Sequence, residues 1–126
     1  MISRLAVVPH PPLLVPELVT GAGSDTEPVR SACLAAARDL AACSAEWVAV
    51  GVDPSGPRVV EDAAGTFRGF GVDVPVSLSE GATTADDELP LPALVAAWLR
   101  ERAGARSVRV HLVPPDMPAA DCVALE

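Results

Sequence analysis

His10 is the residue whose setting most invites chemistry. It lies in Val8-Pro9-His10-Pro11-Pro12, where three prolines fix the backbone φ and bias the residues before them away from helix. The apolar run Ile2–Val8 predicts a short strand ending just before it. His10 would then stand at the carboxyl end of a strand, where open α/β sheets hold ligands. Asp53 would stand at the carboxyl end of a second predicted strand, Trp47–Val52, and as neighbours the two strands would bring its carboxylate towards the imidazole. Glu17, seven residues after His10, offers a second carboxylate. One imidazole with carboxylates is ligation that suits Fe, Mn or Mg. Each residue also has an ordinary structural role open to it. A loop His bonds nearby backbone, Glu17 is a solvated acid, and in Asp53-Pro54-Ser55-Gly56 the Asp side chain caps its own turn.

The other chemistry-bearing residues carry weaker signals. His111 sits in an alternating strand, facing solvent or a neighbouring layer. Asp86-Asp87-Glu88 reads as a solvated loop ahead of a helix, where negative charge suits the helix dipole. Ser55 lacks the G-x-S-x-G context of a nucleophile. No Walker motif, G-x-G-x-x-G or H-E-x-x-H occurs.

The elements that must position these residues follow from periodicity. Val29, Cys33, Ala36, Ala37 and Leu40 recur at helical spacing, so residues 26–43 predict an amphipathic helix. Ser24 and Glu27 have capping-box spacing at its start, and Pro28 suits its first turn. Trp47–Val52 is continuously apolar, as in a strand buried on both faces. Strand 2–8, helix 26–43 and strand 47–52 make a βαβ unit with parallel strands. Arg58–Glu61 predicts a short strand, Val72–Val76 an edge or irregular one because of Pro75, and residues 77–88 a polar loop. Leu91, Leu94, Val95, Trp98 and Leu99 predict a second helix, started by Pro92 and capped by Gly104. Ser107–Val113 alternates as a further strand, closed by Pro114 and Pro115. The expected fold is α/β, an open and mostly parallel sheet with flanking helices.

Composition narrows the function classes. The chain of 126 residues suits one domain, 1–126, and is half hydrophobic but only 3% aromatic, without Tyr. Its core must therefore be Val, Leu and Ala. All nine basic residues are Arg, a composition like that of GC-rich bacterial genomes. The formal net charge of −8 repels phosphate backbones and anionic lipids, so neither nucleic acid nor membrane is expected as a partner. Cys33, Cys43 and Cys122 form no C-x-x-C, and reduced thiols in a cytoplasmic protein are the expectation. A domain this apolar is compatible with a homo-oligomer.

The segment Val7-Val8-Pro9-His10-Pro11-Pro12-Leu13-Leu14-Val15-Pro16-Glu17 resembles the opening of class III extradiol ring-cleavage dioxygenases of the B type, and of the related Memo-like proteins. The resemblance covers residues 1–60 and, more weakly, 84–113, and makes the chain similar to the N-terminal half of that fold. It implies that His10 is a ligand of a non-haem Fe(II) or another divalent metal, and that the substrate is a small catechol-like aromatic. That family places a second His ligand just after the second strand; here Gly51-Val52-Asp53-Pro54-Ser55-Gly56-Pro57 contains none. A catalytic His beside an Asp is also replaced, by Asp86-Asp87-Glu88-Leu89-Pro90-Leu91. Two functions follow as expectations. One is a degenerate member of the superfamily, with an incomplete iron site or no metal, serving in binding or assembly. The other is a metal-dependent oxidoreductase with an altered site of His10 and Asp53, completed by Glu17.

Overall fold

The computed structural model describes residues 4–9, 15–16 and 26–116. His10, Glu17, Ser24 and Cys122 lie outside the described residues, as does the start of the predicted strand 2–8.

Helix α1 (Glu27–Cys43) follows the predicted apolar spacing and buries Arg30, Cys33 and Ala37 along one stripe. Thr26 is its N-cap residue, without a side-chain cap bond, and Pro28 occupies the first turn. After Ser44 the chain enters strand β1 (Glu46–Val52). Three short strands follow: β2 (Arg58–Val60), β3 (Ala63–Thr66) and, after a 3-10 turn at Phe67–Phe70, β4 (Pro75–Ser77). A two-residue strand β5 (Thr84–Ala85) precedes helix α2 (Leu91–Ala103), and β6 (Ser107–Val113) ends the described fold. Gly104 caps α2 with φ 80°, the left-handed conformation a glycine adopts without a Cβ clash.

The fold is α/β, with two small mixed sheets in place of one mostly parallel sheet. The first has the order β1-β6-β2, with β1 parallel and β2 antiparallel to β6. The second has the order β4-β3-β5. The expected parallel partner of β1 is the N-terminal segment. Instead β1 pairs along its whole length with β6, Glu46 opposite Ser107 through Val52 opposite Val113. Residues 4–9 carry no strand assignment.

Helix α2 is the centre of the core. It buries residues on all sides, including Leu94, Val95, Trp98 and Leu99, as a helix covered all round must. It packs on α1, β1, β4 and β6. Gly51 permits the approach to β1, because a Cβ there would overlap the Pro92 ring. The Arg100 guanidinium is buried, and each of its nitrogens donates: Nε to Ser77 O at 2.9 Å, Nη1 to Ala105 O at 2.7 Å and Nη2 to Ser77 Oγ at 3.1 Å. These bonds tie the end of α2 to β4 and to the lead into β6.

Both helices cover one face of the first sheet. Trp47 and Ala49 of β1 pack against the core, and Val108, Val110, Leu112 and Val60 belong to it. On the other face Val48, Val50, Val52 and Val59 are half or more exposed, whereas Val113, opposite Val52, is buried.

Candidate functional site

The carboxyl end of β1 carries the one metal-ligand candidate that is described. Asp53 N–H donates to Val113 O at 2.9 Å, continuing the ladder by one residue. Asp53 Oδ2 accepts from Ser55 N–H at 3.0 Å and from the Ser55 hydroxyl, and Asp53 O accepts from Gly56 N–H at 3.0 Å. This is the self-capped Asx turn that Asp-Pro-Ser-Gly favours. Ser55 Oγ in turn accepts from Arg58 Nε at 3.2 Å, so Ser55 serves the turn as well. Gly56 lies too close to the Leu112 carbonyl for a Cβ, and the Gly56–Pro57 peptide is cis.

Of the metal ligands expected from sequence, His10 and Glu17 lie outside the described residues, and Asp53 is held by its own turn. Among the described residues, no group of three or more His, Cys, Asp and Glu side chains is placed to hold a metal ion. His111 stands in mid-sheet, half-buried, opposite Val50 and Val59. Asp86 Oδ1 accepts from Glu88 N–H at 2.9 Å in the loop before α2, whose own first turn holds no acid.

The feature that sequence reasoning missed is the uncovered sheet face. Register and alternation put Val48, Val50 and Val52 of β1, Arg109 and His111 of β6 and Val59 of β2 on one side. Val48 is 59% exposed, Val50 61%, Val52 53% and Val59 50%. The N-terminal segment carries further exposed aliphatic side chains. Val8 packs against the core, and its alternating neighbours Leu5 and Val7 are 75% and 88% exposed. An apolar groove of about 360 Å³ separates this segment from Leu40 of α1, Trp47 of β1 and Val95 of α2. A signal for the open face is present in Val108-Arg109-Val110-His111-Leu112, whose polar members share one side.

At the amino end of the sheet lies a polar cleft of about 440 Å³, lined by Glu46, Glu61, Asp62, Ser79, Ser107 and Arg109 among others. Glu46 is 3.9 Å from Arg106, while Arg109 has no carboxylate within ion-pair distance among the described residues. Away from the sheet, the Thr66 hydroxyl and then the Arg68 guanidinium hold the Asp73 carboxyl below its usual range. Burial pushes the Cys33 thiol up, whereas Cys43 is exposed. No helix among the described residues is long and apolar enough to cross a membrane.

No family model matches the chain, and no curated protein or solved structure matches it.

Proposed function

We propose that this chain is a binding or assembly domain, a degenerate member of the class III extradiol dioxygenase superfamily that docks a partner through its open valine face. The observation that carries this is the face itself. Four valines, Val48, Val50, Val52 and Val59, are each half or more exposed on one side of the first sheet, to either side of Arg109 and His111. Parallel strand pairs such as β1–β6 are ordinarily covered on both faces, and an exposed apolar patch bordered by polar residues, as the β1 valines are by Arg109 and His111, marks an interaction site. Burying a Val or Leu side chain fully contributes roughly 1.5–3 kcal/mol. Scaled by exposure, covering the four contributes roughly 3–7 kcal/mol, against roughly 4–15 kcal/mol for lost freedom on association.

The degenerate half of the proposal rests on the carboxyl end of β1. Where the resembling family has a His ligand, this chain has Asp53, whose Oδ2 already accepts two bonds from Ser55. The test is anaerobic loading with Fe(II), desalting and metal analysis, with oxygen uptake on catechols, for wild type beside His10→Ala. The expected result is no stoichiometric iron and no oxygen uptake. One iron per chain, lost in His10→Ala, would overturn the proposal and establish the His10–Asp53 metal enzyme instead.

A further inference from the structure

We infer that residues Leu5–Val8 are a strap that closes onto the free edge of β1, adding a fourth strand, parallel to β1, to the first sheet. The strap acts on the edge of the sheet and holds whether or not the valine face docks a partner. In the order β1-β6-β2, β1 is an edge strand. Asp53 N–H donates to Val113 O. Alternation along a parallel pair therefore turns the backbone groups of Ala49 and Gly51 towards β6, and those of Val48, Val50 and Val52 away from it. Among the described residues, no backbone hydrogen bond reaches those three from another segment. The strand, Glu46-Trp47-Val48-Ala49-Val50-Gly51-Val52, contains neither proline nor lysine. Folded proteins ordinarily cover an edge that is this apolar and this unguarded.

A strand-like segment already lies beside that edge. Leu5 and Val7 are exposed, whereas Ala6 and Val8 are half-buried, which is the period of a strand. Val8 packs against the core. The apolar groove is lined both by Leu5–Val8 and by Trp47–Gly51, so the segment accompanies β1 over most of its length. Arg4 is paired with Asp39, near the end of α1 that leads into β1. Arg4 thus stands towards the amino end of β1, and Leu5–Val8 run on from there in the direction of the strand. Helix α1, between the two in sequence, is the crossover that parallel neighbours need.

Closure satisfies both sides of the groove. Its walls include Leu40, Val95 and Leu99, and expelling water from between apolar walls favours the closed form. Leu5–Val8 contain no proline, so each residue has a donor as well as an acceptor to offer the edge, and Pro9, without an N–H, ends the ladder.

Amide hydrogen exchange on the full chain, read residue by residue by NMR, tests this with wild type beside Val7→Pro. Val7 is 88% exposed and outside every strand of the open form, so the substitution strikes the closed form. In wild type the Val48, Val50 and Val52 amides are expected to be protected. Val7→Pro is expected to speed their exchange roughly tenfold or more, as loss of edge hydrogen bonds does. The Ala49 and Gly51 amides, which face β6, should exchange alike in both proteins. Equal rates at Val48, Val50 and Val52 in the two proteins overturn the strap: equally fast, the edge stays open; equally slow, something other than Leu5–Val8 covers it. Should Val7→Pro fail to fold, which lost protection at Ala49 and Gly51 would show, wild type alone decides. Cross-strand NOEs between residues 5–8 and 48–52 are then the expected result, and their absence overturns the strap.

Discussion

Val110→Ala and Val50→Ala make a matched pair, because the two residues sit on paired strands one step apart and face opposite sides of the same sheet. Val110 is 1% exposed and packs in the core, whereas Val50 is 61% exposed. Removing two buried methyl groups costs about 2–3 kcal/mol, the lost transfer energy plus the cavity left behind. The same change at Val50 loses only strand preference and surface contact, within about 1 kcal/mol. For a chain of this size each kcal/mol lowers Tm by about 3–6 °C. Val110→Ala should therefore lower Tm by about 6–18 °C, and Val50→Ala by no more than about 6 °C. Urea and thermal unfolding, followed by circular dichroism, separate the two. If Val50→Ala costs as much as Val110→Ala, the face is covered within the single chain and the docking argument fails.

Three further outcomes follow from packing and charge. Gly51→Ala should cost about 1–3 kcal/mol in urea unfolding, because the new methyl meets Pro92 and pushes α2 off β1. Arg100→Met should cost about 2–4 kcal/mol, because Ser77 O and Ala105 O lose their buried donor; an unchanged midpoint would mean that these carbonyls find other partners. The Asp73 carboxyl is lowered first by the Thr66 hydroxyl and then by Arg68. Its charged form therefore stabilises the fold above the ordinary carboxylate range, and that stabilisation is lost as pH falls through the lowered value. An NMR titration should find Asp73 titrating below other exposed carboxylates, and Thr66→Val should move it upward; no movement would contradict the assigned cause.

Local periodicity carries much of the fold. The apolar spacing of α1, the Pro92 start and Gly104 end of α2, and the alternation of β6 all reappear in the structure. What local pattern does not carry is which strands pair. The apolar run at 47–52 reads as a strand buried on both faces, and nothing within it tells that one of those faces lies uncovered. The β3–β4–β5 sheet is not legible because its strands are two to four residues long, too short for alternation to register. Pro75 does lie at its edge, where a missing donor is tolerated. At the candidate site, the turn role of Asp53 is legible in Asp-Pro-Ser-Gly. The valine face is not, because it arises only when β1, β2 and β6 meet in register.

Solvent access to individual methyl groups tests the central claim most directly. With a soluble nitroxide added at low protein concentration, NMR should show broadening of the Val48, Val50, Val52 and Val59 methyls, while those of Val108 and Val110 are spared. Protection of all six valines would place another part of the same chain over the face and contradict the account.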